Sequence, residues 1–137
     1  MDLNLSIIFV LLAASAAIST AAPGGESMIA DLTMIHAIQG DGQSSPFQGM
    51  KVSIEAIVTA DFQGTDKLEG FFVQEEDSDI DDNIETSEGI YIYDPGRLGV
   101  KENVTRGELV IDRGHIEEIH GLTQKKLEEI KKKKAGK

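Results

Sequence analysis

Alternating apolar and polar residues predict a β-hairpin in the middle of the chain. Over residues 50–59 apolar side chains alternate with polar or charged ones, as in a strand with one buried face. Residues 64–66, Gly-Thr-Asp, supply turn chemistry, and the extended pattern resumes over residues 68–74. Phe71 and Phe72 would then lie on opposite faces of the second strand.

Two more strands follow the hairpin. Residues 89–94 alternate again, with Tyr91 and Tyr93 on the face opposite to two isoleucines. Residues 108–119 form a longer strand that we expect to bend at Gly114, because glycine inside a strand often marks a bulge. The pattern therefore predicts an all-β domain of four or five strands.

The segment before the hairpin and the histidines are less clear. Residues 30–38 have a mixed periodicity that fits a short strand or a single helical turn. His36 lies within it, and we interpret it as a partly buried structural histidine. His115 and His120, with the glutamates at 117 and 118, fit a metal site or exposed polar residues, and we favour the second interpretation.

The two ends of the chain differ from its centre. Residues 1–22 are apolar and end in small residues, which predicts a secretory signal peptide, with an uncleaved anchor as the alternative. Residues 23–27 are a Gly/Pro linker, and residues 28–124 are the predicted domain. Residues 125–137 contain seven Lys and two Glu, and their i,i+4 pairs predict a short Lys-rich helix, which Thr123 would cap.

Five motifs, taken in order, resemble those of a known family. The resemblance extends over residues 34–124, and the motifs are Ile-Gln-Gly (38–40), Thr-Ala-Asp-Phe-Gln-Gly (59–64), Gly-Phe-Phe-Val-Gln (70–74), Thr-Ser-Glu-Gly-Ile-Tyr-Ile-Tyr (86–93) and Gly-Leu-Thr-Gln (121–124). This arrangement resembles the OB-fold-like domain that accompanies the endonuclease/exonuclease/phosphatase-type catalytic domain of secreted bacterial nucleases. The chain departs from the family pattern at residues 100–103, where a Val-Gly-Asp turn is usual.

The resemblance implies an OB-fold-like, partly open barrel that serves as a non-catalytic, nucleic-acid-binding accessory module. It also implies that the catalytic nuclease domain of the relatives is absent here, so the chain would be a truncated or fragmentary form. Exposed aromatic rings on such a fold stack on bases. The expected contacts to DNA or RNA, weak and salt-sensitive, come from Lys51, Phe72, Tyr91, Tyr93 and Arg97, and from the basic tail at residues 125–134.

An acidic loop separates the second and third strands. Its oxygen-bearing side chains have the spacing of calcium ligands in an EF-hand, although Asp82 replaces the required glycine and the flanks are strands. A solvated acidic loop without an ion is equally compatible with the sequence. The predicted Ca²⁺ ligands are Asp77, Asp79, Asp81, Asn83, Glu85 and Glu88.

Charge favours a second class of function. The formal net charge is −11, and phosphate binding needs positive charge. The alternative function is therefore a calcium-stabilised extracellular structural or protein-interaction module. The three histidines, at 36, 115 and 120, form no motif like the Asn, Asp and His constellation of the catalytic domain, so we expect no enzymatic activity.

The signal-peptide prediction makes a secreted or periplasmic protein the expectation, with no membrane association after cleavage. Mass spectrometry of the mature protein should find its N-terminus between Ala21 and Gly25. Recovery of intact Met1 in a membrane fraction would instead indicate the uncleaved anchor.

Overall fold

The computed structural model describes residues 31–95 and 103–133. They form a short helix α1, a 3₁₀ turn and five strands. Within these ranges no helix has the length and apolarity needed to cross a membrane. The predicted signal peptide and linker, residues 1–27, lie outside the described residues, as does Arg97. The elements are α1 (Ile35–Gln39), β1 (Lys51–Phe62), β2 (Gly70–Gln74), the 3₁₀ turn (Asp77–Asp79), β3 (Gly89–Tyr93), β4 (Leu109–Ile119) and β5 (Leu122–Lys132).

The five strands close into one barrel in the order β1-β2-β3-β5-β4. Neighbouring strands are antiparallel except for β3 and β5, which run parallel. The all-β, OB-like prediction is therefore confirmed. The barrel differs from the prediction in being closed, because β5 pairs with β3 on one side and with β4 on the other.

The predicted strand faces are confirmed in β1, β2 and β3. Phe71 is fully buried while Phe72 is exposed, and the two isoleucines of β3 face the core. The irregularity near Gly114 lies on β5 and not on β4 as predicted: Arg113 pairs with Glu129 and Gly114 with Leu127, which leaves Glu128 as the extra residue. β4 keeps an unbroken register with β1 across Gly114. A Cβ atom at Gly114 would overlap the backbone carbonyl of Lys126, so only glycine permits this close approach.

The predicted Lys-rich helix is wrong, because residues 122–132 form strand β5. His120 and Gly121 both adopt positive φ, 51° and 79°, and they join the paired residues Ile119 and Leu122. Two central residues with positive φ are typical of the type I′ hairpin turn, which directs the chain back along β4. The i,i+4 spacing of Glu and Lys in residues 125–137 is compatible with a helix. The turn at His120 and Gly121 instead directs this segment to pair with β4 as a strand.

A buried ion pair stands in the barrel core where β4 meets β5. The side chains of Lys125 and Asp112 are both 0% exposed, and the Lys125 ammonium contacts the Asp112 carboxylate. The ammonium also donates to the Asp112 carbonyl oxygen at 2.6 Å. Burial raises the pKa of Asp112 and lowers that of Lys125, and in each case the charge of the partner opposes the shift. Lys125 therefore belongs to the core and not to a basic surface.

The N-terminal segment covers part of the same core. Residues 30–38 were predicted as a short strand or a helical turn, and the structure has the turn, α1, with Ile35 and Ile38 fully buried. Leu32 adds one parallel bridge to Ser53 of β1. This packing brings His36, which lies between the two buried isoleucines, to the barrel.

Lys125→Met should lower the free energy of unfolding by about 3–5 kcal/mol, because it leaves the Asp112 carboxylate buried without a counter-charge. The double variant Lys125→Met/Asp112→Leu should recover most of that loss. Urea denaturation measures both changes, and Lys126→Met, in the adjacent outward position, should stay within about 0.5 kcal/mol of the wild type. Equal losses for Lys125→Met and Lys126→Met would contradict the assignment of Lys125 to the core.

Candidate nucleic-acid interface

Aromatic side chains lie together on the outer face of β1, β2 and β3. Phe72 pairs directly with Tyr91, and their ring centroids are 5.1 Å apart with the planes tilted by 48°. Phe62, at the end of β1, packs edge-on against Phe72 at 6.1 Å. We call Phe62, Phe72 and Tyr91 the aromatic strip. Phe62 was not predicted, because alternation continued from Val58 would put it on the buried face. A register shift between Val58 and Ala60 moves it to the outer face.

Tyr91 is held in a fixed orientation on the sheet. Its hydroxyl donates a hydrogen bond to the carbonyl of Leu68, and its ring covers Gly70, where a Cβ atom would overlap the phenol. Burial is the main cause of the raised pKa of Tyr91, and the charges of nearby Tyr93, Glu69 and Asp94 add to it. The phenol is therefore a neutral donor, and its ring is a rigid flat surface.

A groove of about 840 Å³ lies beside the aromatic strip. Phe72, Tyr91 and Tyr93 line it on one side, and the end of β4 with the β4–β5 turn lines the other. Glu117 is the one carboxylate among the described lining residues, which include neither Lys nor Arg. The groove therefore suits a flat, largely uncharged chemical group better than it suits a phosphate.

The predicted basic contacts do not meet at this groove. Lys51 begins β1, and its ammonium lies 2.5 Å from a carboxylate oxygen of Glu128. The position of Arg97 is outside the described residues. Lys126 of β5 pairs instead with Tyr93 of β3. Of the predicted set, the structure brings together Phe72, Tyr91 and Tyr93, with Lys126 of the predicted basic tail beside them.

The six predicted calcium ligands are spread along the loop. Asp77 is exposed in the 3₁₀ turn. The side-chain oxygens of Asp81 and Asn83 accept hydrogen bonds from the loop's own backbone, from Asn83 N–H and Glu85 N–H respectively. The Glu88 carboxylate accepts from the backbone N–H of Asp81 at 3.2 Å. The calcium site stays a prediction.

Glu88, one of the predicted calcium ligands, instead converges with two side chains outside that set. His36 Nδ1 lies 2.8 Å from Glu75 Oε2 and 3.3 Å from Glu88 Oε2, and Glu75 is only 2% exposed. Among the described residues, these three are the His, Asp or Glu side chains grouped closely enough to share a metal ion. We call His36, Glu75 and Glu88 the His36 cluster. His115 and His120 are not part of it.

Two members of the His36 cluster, Glu88 and His36, have raised pKa values. A hydrogen bond with Glu75, followed by burial and a hydrogen bond with Asp81, raises the pKa of Glu88 from 4.5 to about 7. Burial lowers the pKa of His36, but the hydrogen bonds and charges of Glu75, Glu88 and Asp81 outweigh it, so the net shift is upward. Sequence reasoning missed this arrangement because its members are about 40 and 13 residues apart and no local spacing connects them.

No family model matches the sequence, and no curated protein is significantly similar to it.

In metal-free buffer, stability should fall as pH rises from 4.5 towards 8. The raised pKa values mean that the folded state binds protons on Glu88 and His36 more tightly than the unfolded chain does. Their contribution is complete below the unfolded pKa of Glu88, 4.5, and it is lost as pH rises through about 7. Thermal melts in EDTA across this range measure the slope. Glu88→Gln should flatten it, and an unchanged slope in that variant would contradict the assignment.

Proposed function

We propose that the barrel is a non-catalytic module that binds single-stranded DNA or RNA by stacking bases on the aromatic strip. The observation that carries the proposal is the partly exposed Phe72–Tyr91 pair, which lies across adjacent strands and borders an open groove. Every base has an aromatic face, and a stacked base contributes about 1–3 kcal/mol without sequence preference. The fixed Tyr91 ring adds to this, because little conformational freedom is lost on binding.

Charge places a limit on the proposed affinity. The chain carries a formal net charge of −11, and Glu117 faces the groove, so a polyanion meets repulsion over much of the surface. Lys126, beside Tyr93 in the sheet, is the cation placed to contact a phosphate. Binding through one or two phosphates gives a weak complex with a shallow salt dependence, with a slope of about −0.7 for each phosphate neutralised.

The proposal includes no catalytic step by this chain alone. Metal-assisted phosphodiester hydrolysis needs carboxylates that hold a cation beside the scissile phosphate. The described groove offers one carboxylate, Glu117. An accessory role beside a catalytic nuclease domain, in a secreted protein, agrees with the motif resemblance.

A second proposed function is an extracellular structural or protein-interaction module stabilised by calcium. The acidic charge favours it, since this surface repels nucleic acid. It needs no basic contacts in the groove, and it leaves the aromatic strip for an apolar partner. The two proposals differ in what binds at the groove: a nucleic-acid base in the first and an apolar protein partner in the second.

Fluorescence anisotropy with short labelled DNA and RNA single strands at low salt tests the first proposal. Tyr91→Ala should weaken binding by about 1–3 kcal/mol, because a stacking ring is lost. Tyr91→Phe keeps the ring and should retain most of the affinity. Lys126→Met should make the salt dependence shallower.

Ile84→Ala is the matched surface control, because Ile84 is 94% exposed and does not line the described groove. Cleavage is measured after the protein is incubated with the same strands in calcium or magnesium. Absence of binding at low salt, or equal affinity of the wild type and Tyr91→Ala, would contradict the first proposal and favour the second. Turnover that survives repurification would overturn the non-enzymatic assignment.

A further inference from the structure

We propose that the His36 cluster is a binding site for one divalent transition-metal cation, best represented by Zn²⁺, which joins the N-terminal helix to the barrel. The ligand atoms are His36 Nδ1, Glu75 Oε2 and Glu88 Oε2. The site lies outside the groove and does not rest on the proposed function.

The geometry of the three donor atoms fits a tetrahedral ion. Ligands at about 2.0–2.1 Å from Zn²⁺ stand about 3.3 Å from one another. The Nδ1 to Oε2 distances are already 2.8 Å for Glu75 and 3.3 Å for Glu88. All three donor atoms lie within 4.8 Å of one another, so adjustment of these side chains would admit the ion.

The second polar atom of each ligand has its own neighbour. Glu75 Oε1 accepts a hydrogen bond from the Ile35 backbone N–H, and Glu88 Oε1 accepts from the Asp81 backbone N–H at 3.2 Å. His36 Nε2 faces a carboxylate oxygen of Asp81 at 3.9 Å. Partners of this kind orient metal ligands and fix the histidine tautomer. These contacts leave Nδ1 of His36 and Oε2 of each glutamate for the ion.

The donor set distinguishes this site from the calcium loop of the sequence prediction. Ca²⁺ takes six to eight oxygen ligands, whereas one imidazole nitrogen with carboxylate oxygens suits Zn²⁺ and similar cations. A neutral His36 with two glutamates and a divalent ion has zero net charge. That balance matters because Glu75 is 2% exposed, and a buried carboxylate needs a counter-charge.

The elements that the ion would join are distant in sequence. His36 lies in α1, Glu75 directly follows β2, and Glu88 directly precedes β3. Ser87 and Gly89, on either side of Glu88, line the groove. Bound metal would therefore hold α1 and one margin of the groove to the barrel, and it should raise the melting temperature by mass action.

The test titrates the full chain, freed of metal with EDTA and exchanged into metal-free buffer, with Zn²⁺ alone, with Ca²⁺ alone, and with Zn²⁺ in excess Ca²⁺. We expect one equivalent of Zn²⁺ by calorimetry, retained against Ca²⁺, with a raised melting temperature. His36→Gln and Glu88→Gln should each weaken zinc binding by about tenfold or more, since loss of an outer partner alone has this effect.

Two control variants separate this site from other candidates. Asp77→Asn alters the predicted calcium loop, and His115→Gln alters the other contact between a histidine and a glutamate, with Glu128. Both should keep the zinc affinity of the wild type. Saturable binding that His36→Gln and Glu88→Gln leave unchanged, absence of stoichiometric binding, or binding that only Asp77→Asn removes would each overturn the proposal.

A measurement on the wild type decides the matter if the variants fail to fold. Proton–nitrogen correlation spectra of the imidazole rings should show the Nδ1 resonance of His36 shift on zinc addition, while those of His115 and His120 stay in place. A shift confined to His115 or His120 would overturn the assignment. This readout does not depend on nucleic-acid binding, so the two proposals fail separately.

Discussion

The ion pair between Lys125 and Asp112 determines which face of β5 points into the barrel core. Both side chains are fully buried, and they belong to the two strands that share the longest paired edge, β4 and β5. A charge in an apolar core is strongly destabilising unless an opposite charge pairs with it, so this contact fixes which residues of β5 face inward. With Lys125 and Leu127 inward, Gln124 and Lys126 must face outward, beside Tyr91 and Tyr93. The chemistry of the outer surface thus follows from a contact inside the core.

Local patterns were sufficient for the first three strands but not for the last. Alternation in β1, β2 and β3 identified the buried faces because every inward residue there is apolar. In β4 the inward residues include Asp112, and in β5 they include Lys125. Because alternation assigns charged residues to the surface, it led to the prediction of a surface helix for the segment that contains Lys125. Burial of a charged residue can be predicted only when its partner is known. The partner of Lys125 is Asp112, which lies 13 residues away on another strand.

In the candidate site too, one part could be predicted from the sequence and another could not. Tyr91, Tyr93 and Phe72 were predicted together because one fold-level expectation put their strands side by side, and the described groove contains all three. The regular spacing of acidic residues in the loop predicted a calcium site, but the Glu88 side chain lies beside His36 and Glu75. Convergence of three separate segments is a property of the tertiary structure, and periodicity within one segment carries no information about it.

The parallel pairing of β3 with β5 has a consequence for how the chain reaches its fold. β5 is the last strand, and it alone supplies the partner for both β3 and the second edge of β4. During synthesis from the N-terminus the barrel has two open edges until Lys132 has emerged, and pairing between strands so far apart in sequence is slow. In that interval the edges of β3 and β4 are templates for other chains, so the order of synthesis makes the nascent protein prone to aggregation. The turn at His120 and Gly121 lets β5 pair with β4 as a local hairpin, so the edge of β4 is covered before the non-local contact with β3 forms.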